Sequence, residues 1–304
     1  MTNQLTIREK DIISNAPSRA KTIFNTLDIT DNTRRDYLYR IPLFLDFLKN
    51  NSINFNTFLE YKRFLEKRTD IKISTKNKYL QTARTFLKEL HRQGLLPADI
   101  TANITSWTQE KKHKKEGLNN SEIQLLADKL KHLPPTPKNT RLKALFSLLT
   151  FQGLRQIEII RLDVEDINLN GKTALIQGKG KADQELIHLH PETIKAIAEY
   201  IRFNKVGSGA LFKSLGNRHS DRITTMTIKR EIQEALTPLG IDKTTHGFRH
   251  YYITTLLQKL DVRDVRKFSR HSNLEMLIVY DDELDIKHKT GEVFKCFNKL
   301  SLSI

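Results

Sequence analysis

The chain has 304 residues, enough for two domains that each bury a core. Its 38% hydrophobic content excludes a disordered chain, and 51 Lys and Arg against 35 Asp and Glu, with the excess present in both halves, point to a polyanionic partner such as DNA. A single cysteine, Cys296, excludes an internal disulfide; with no signal-like apolar core near Met1 and no apolar run long enough to span a bilayer, a cytoplasmic protein without a membrane partner is expected.

In chain order, the first part reads as helical. Asp31 or Thr33 can cap a helix whose apolar positions Tyr37, Ile41, Phe44 and Leu48 recur every three to four residues, with Pro42 expected to kink it. A second helix carries Phe55, Phe58, Leu59 and Leu65 on one face. A third starts near Ser74 as N-cap, turns Tyr79, Ala83, Phe86, Leu87 and Leu90 inward, shows Lys76, Lys78, Arg84 and Lys88 on its other face, and ends at Gly94. The stretch Gln109 to Gly117 is charged and has nothing to bury. It marks the boundary between a helical domain over residues 1–110, a linker over 111–117, and a second domain over 118–304. That second domain is mixed. Helical patterns cover 121–133 and 141–151, and strand signals follow at 166–169, 173–177 and 185–190, with Asn170-Gly171 as a hairpin turn between the first two. Further helices are expected over 191–203, 225–236, 247–260, 262–269 and 274–281.

Four short stretches carry chemistry. They are Gly153-Leu154-Arg155-Gln156-Ile157-Glu158; Gly178-Lys179-Gly180-Lys181 between two strands; Thr245-His246-Gly247-Phe248-Arg249-His250; and Arg270-His271-Ser272 with Tyr280 one short helix later. A phosphodiester under attack builds negative charge on its non-bridging oxygens, which two guanidiniums such as Arg155 and Arg249 can hold by paired, charge-assisted hydrogen bonds. Taken alone, either arginine reads more often as a surface ion pair. Glu158, three residues after Arg155, lies on the same helix face and can fix its guanidinium. The Gly-Lys-Gly-Lys stretch is not a P-loop, which needs a longer glycine pattern opening a helix; here a strand follows. His246 and His271 can donate to a phosphate or manage a proton. His188 and His190 alternate on a strand, but no third ligand at suitable spacing accompanies them, so no metal is expected.

In order and spacing the four stretches resemble the active site of the tyrosine recombinase, or phage integrase, family, and the resemblance spans essentially the whole second domain. It implies a fold that is mostly α with a small β-sheet: a helical SAM-like core-binding domain and a mixed α/β tyrosine-recombinase catalytic domain, closing as a clamp on double-stranded DNA. It implies that Tyr280 is the nucleophile, ahead of Tyr251 and Tyr252; that Arg155, Arg249, His246 and His271 serve the phosphate; and that Lys179, with Lys181 as fallback, is the general acid. It also implies that Lys76, Lys78 and Arg84 face DNA. Cleavage would pass through a 3′-phosphotyrosine link and a Holliday junction, without cofactor or metal, in a homotetramer on specific recombination sites, as in a mobile-element integrase. The tail would dock in trans through Val293, Phe297 and Leu300. Two departures stand out. Arg270 occupies a position where the family usually has a glycine in a left-handed turn, and Asp281-Asp282 follow Tyr280. The competing readings are a type IB topoisomerase, which would relax DNA lacking any special site, and a non-catalytic DNA-binding accessory protein, against which stands the presence of all six catalytic residue types.

Overall fold

The computed structural model describes residues 16–51, 53–109, 117–178, 183–215, 222–271, 273–275 and 277. Lys179, Lys181, Tyr280, most of the expected helix over 274–281, the tail residues Val293, Phe297 and Leu300, and nearly all of the charged linker lie outside these. Backbone contacts divide the chain between residues 110 and 111 into two units.

The described residues of the first unit form four helices, α1 (Ala16–Thr26), α2 (Asp31–Lys49), α3 (Thr57–Lys67) and α4 (Ile73–Arg92). Their apolar faces meet in an aromatic core in which Phe24, Phe44, Phe58, Tyr61 and Phe86 are fully buried; the Phe44 and Tyr61 rings stand edge to face at 4.7 Å. Local expectations are corrected at the α2 cap, at the start of α4 and at Phe55. The N-cap of α2 is Thr30, whose hydroxyl accepts from Thr33 N at 3.3 Å, because Asp31 already has helical backbone and pairs with Arg34. α2 runs unbroken through Pro42. α4 starts one residue before Ser74, with Lys72 at the cap position and no side-chain cap bond. Phe55 precedes α3 and is exposed, so the buried face of that helix is Thr57, Phe58, Tyr61 and Leu65.

The second unit contains α5 (Asn120–Lys131), α6 (Pro137–Phe151), α7 (Gln156–Arg161), strands β1 (Ile167–Asn168), β2 (Thr173–Gln177) and β3 (Gln184–His188), then α8 (Pro191–Asn204), α9 (Thr225–Leu236), α10 (Thr245–Leu257) and α11 (Val262–Ser269). α6 begins four residues before the apolar pattern shows, because Thr136 caps it and Pro137 fits its first turn. The sheet is antiparallel in the order β1-β2-β3, with Ile167 opposite Ala174 and Leu175 opposite Leu186. α6 is buried nearly all round and forms the axis of the unit, whose core includes Leu145, Leu148, Ile159, Ile176, Tyr200, Phe212 and Phe248. Inside it a charged pair spans α6 and α9: Arg141 donates to both carboxylate oxygens of Glu231 and, at 2.9 Å, to Lys213 O, with both side chains almost completely buried. Among the described residues no helix is long and apolar enough to cross a membrane.

Candidate active site

The site is assembled from the turn between α6 and α7, the start of α10 and the end of α11. The first turn is set by Gly153, whose φ of +56° suits glycine and whose missing Cβ leaves room for the Tyr252 ring, 2.3 Å from where that carbon would stand. The Gly153 carbonyl, buried and turned out of the helix, then becomes an acceptor. Arg249, from the first turn of α10, donates to it at 2.6 Å and also to Ser269 O, which joins segments 96 and 20 residues apart. The Arg249 side chain is among the largest fully buried ones in the protein, an unusual place for a guanidinium unless several acceptors surround it.

Arg155 stands at the N-cap of α7. The Glu158 carboxylate closes the box: one oxygen accepts from Arg155 N at 2.8 Å and the other from the Arg155 guanidinium at 2.8 Å. Glu158 has no exposed surface, whereas the Arg155 side chain is 28% exposed, so the guanidinium is held from behind and open in front. Burial pushes the Glu158 carboxyl up, but the Arg270 charge and the hydrogen bonds from Arg155 outweigh it and hold the group below the usual carboxylate range. Gln156, next to Arg155, donates to the Thr245 hydroxyl beside His246, which ties the start of α7 to the start of α10. His246 is exposed one turn ahead of Arg249.

His271 follows α11 and is buried. Its Nε2 lies 3.3 Å from Arg249 Nη2 and its Nδ1 2.7 Å from Ser269 Oγ. A guanidinium has no acceptor, so Nε2 accepts and Nδ1 carries the proton, which it donates to Ser269. Burial, and then the charges of Arg249, Arg155 and Arg270, push its pKa down to about 3, with Glu158 opposing. The imidazole is therefore neutral and a weak base across the physiological range. Ser269 had no signal in the residue pattern, since its contact exists only once α11 packs.

Arg270 takes the left-handed conformation expected of the glycine it replaces (φ 57°, ψ 40°). Its guanidinium is turned inward, donating to Gln152 O at 3.3 Å, Gly153 O at 3.4 Å and Glu158 Oε2 at 3.3 Å. Among the tyrosines near the site, Tyr251 packs against the core of the unit, and burial pushes the Tyr252 phenol up despite Arg270 and Arg249 nearby. His190 caps α8 by accepting from Glu192 N and stacks on Phe151; the described residues contain no metal-ligand cluster.

In the first unit, Lys76 donates to Glu66 O at 2.8 Å, and Arg84 donates to Ile104 O while lying over the Phe58 ring. Both hold the unit's own chain, whereas Lys78 is exposed.

The sequence model of the phage integrase family matches residues 116–285. The chain is 22% identical to the tyrosine recombinase XerC of Leptospira interrogans over 91% of each chain, and 26% identical to the tyrosine recombinase XerD of Lacticaseibacillus casei over 71% of this chain and 75% of the relative. Its fold resembles that of the XerH site-specific recombinase bound to palindromic difH substrate, with a TM-score of 0.71 at 16% identity, covering 96% of this chain and 98% of the other.

Proposed function

The chain belongs to the phage integrase family and is a tyrosine recombinase, an enzyme of site-specific DNA cleavage and rejoining; from that premise we propose which residues carry the chemistry. Tyr280 attacks a phosphodiester of duplex DNA, forms a 3′-phosphotyrosine bond and expels the 5′ hydroxyl. The 5′ hydroxyl of a partner strand then attacks the phosphotyrosine and releases Tyr280, so the bond energy stays in the protein–DNA link and no nucleotide is consumed. Arg155 and Arg249 stabilise the charge that builds on the non-bridging oxygens. The observation that carries this reading is the convergence of Arg155, Arg249 and His271, from three separate stretches, around the Gly153 turn. His271, neutral with Nε2 engaged by Arg249, acts as a hydrogen-bonding support for that arginine. His246, exposed at the start of α10, is better suited to handle the tyrosine proton. Lys78 leads the proposed DNA face of α4, which Lys76 and Arg84 flank. We further propose a homotetramer acting through a Holliday junction on paired specific sites in the cytoplasm, in the service of a mobile element.

The test is covalent trapping. Incubated with a nicked duplex that loses its 5′ end on cleavage, the protein should become linked to the 3′ phosphate, and mass spectrometry of the digested adduct should find the nucleotide on Tyr280. An adduct on Tyr251 or Tyr252, or none on any DNA carrying the true site, overturns the assignment.

Lys179 is proposed as the acid that protonates the leaving 5′ oxygen. Lys179→Ala should cleave ordinary DNA about a hundredfold or more slowly, and recover on DNA whose bridging 5′ oxygen is sulfur, a leaving group that needs no proton. Absence of recovery would assign the role elsewhere, with Lys181 next to be tried.

A further inference from the structure

We propose that Arg270 is a positioning residue for DNA cleavage: its buried guanidinium ties the end of α11 to Glu158 and to the turn before α7, and through Glu158 it holds Arg155 in place. The proposal rests on the reading of Arg155 as a phosphate-holding residue.

The backbone is the first reason. A non-glycine residue in the left-handed region is disfavoured because its Cβ crowds the backbone, and glycine would avoid this. Arg270 nevertheless adopts it, at φ 57°, and its side chain, only 5% exposed, must recover the difference through contacts. Those contacts are directed. Three of its four acceptors, Gln152 O, Gly153 O and Glu158 Oε2, belong to the segment that carries Arg155; the fourth, Phe268 O, is on its own helix. Arg270 and Arg249 therefore share the Gly153 carbonyl, and Arg270 and Arg155 share the Glu158 carboxylate. The arginine in the glycine position thus makes one network of the two segments that bear Arg155 and His271.

The second reason is the state of Glu158. A carboxylate with no exposed surface needs cationic partners to stay ionised. The charged and titratable groups around it are Arg155 on its own turn, Arg270 and the neutral His271 from the end of α11, and Arg249 on the adjoining carbonyl. Of these, Arg270 exerts the largest opposing charge effect against burial. Without it, the carboxyl titrates at higher pH. A protonated Glu158 accepts less strongly and no longer forms an ion pair with Arg155, so Arg155 loses its anchor as pH falls.

The experiment is single-turnover cleavage of the nicked duplex by the full chain from pH 3.5 to 8, low enough to reach the acid limb of a carboxyl held below its usual range, with thermal stability measured alongside. Arg270→Gly removes the guanidinium and relieves the backbone. It is expected to cleave about tenfold more slowly near neutral pH, with its acid limb moved up by about one pH unit relative to the parent protein. Arg270→Lys, which keeps the charge but not the fork, should return the acid limb toward its original position while recovering only part of the rate. Glu158→Gln, which cannot ionise, should be slow at every pH and show no acid limb of this origin, and it tests the same link should Arg270→Gly fold poorly. Parent-like rate and profile in Arg270→Gly overturn the proposal, as does a uniform loss with an unmoved acid limb, which would mean that Arg270 does not act through Glu158. Arg155→Ala is the control for the underlying reading. If it cleaves normally, the assignment of Arg155 has failed, whatever Arg270 does.

Discussion

Arg249→Ala should slow DNA cleavage by about a thousandfold or more and destabilise the second unit by about 3 kcal/mol. Two losses combine. The reaction loses one of the two guanidiniums proposed to stabilise the transition-state charge, and removing a single preorganised donor of that kind costs about a hundred- to a thousandfold. The fold loses the donor that satisfies Gly153 O, Ser269 O and His271 Nε2 together, leaving buried acceptors unpaired beside a cavity. For a unit of this size the midpoint of thermal unfolding should fall by roughly 6–12 °C. Arg249→Lys separates the two effects. Lysine keeps the charge but cannot reach three divergent acceptors from a planar fork, so cleavage should stay at least about a hundredfold down while part of the stability returns. Single-turnover cleavage and calorimetry on both variants check this. An Arg249→Ala protein that melts with the parent would contradict the buried hydrogen-bond network, and one that cleaves with the parent would remove Arg249 from the chemistry.

The second large effect concerns a pair with no proposed role in the chemistry. Arg141→Met alone, or Glu231→Leu alone, should destabilise the second unit by about 3–5 kcal/mol, because each leaves its partner charged and unpaired in the core. Arg141→Met with Glu231→Leu should recover most of that loss, ending within about 1–2 kcal/mol of the parent, since apolar groups of similar volume avoid the desolvation that both charges suffer. The residual loss comes from Lys213 O, which keeps no donor from position 141. Denaturant unfolding of the four proteins forms a double-mutant cycle. Nearly additive losses would show that the two charges are not coupled. Cleavage by the double variant should stay close to the parent's, because none of the proposed site residues touches this pair.

Much of the fold was legible in the residue pattern, for local reasons. The helices over Asn120–Lys131, Pro191–Asn204, Thr225–Leu236 and Val262–Ser269 carry their period and their stops within themselves, and Asn170-Gly171 announces the turn between the first two strands. The mostly helical class with one small sheet, and membership of the phage integrase family, follow from residues close together in the chain. Helix starts were less legible where the cap competes with neighbours: Thr30 rather than Asp31 or Thr33 caps α2, and α4 opens without a side-chain cap at all. Phe55 looked like a core residue because hydrophobicity alone says nothing about whether the helix has yet begun.

What tertiary structure alone decided is which charges are buried and what they meet. Arg84 and Lys76 read as a basic face, and each also holds a carbonyl of its own unit: Arg84 that of Ile104, whose segment folds back over α4, and Lys76 that of Glu66 near the end of α3. Arg270 read as a flaw in a glycine turn; its partners lie more than a hundred residues earlier and appear only when α11 packs beside the Gly153 turn. Arg249 and His271 are a pair because α10 and α11 meet, and the neutrality of His271 comes from burial and three arginines gathered from three segments. Sequence by itself determined element type, class and family, since these depend on neighbours within a turn or two. Protonation state, ion pairing and the orientation of the arginines depend on groups brought together from distant parts of the chain and on the water they lose there, and those only the folded structure supplies.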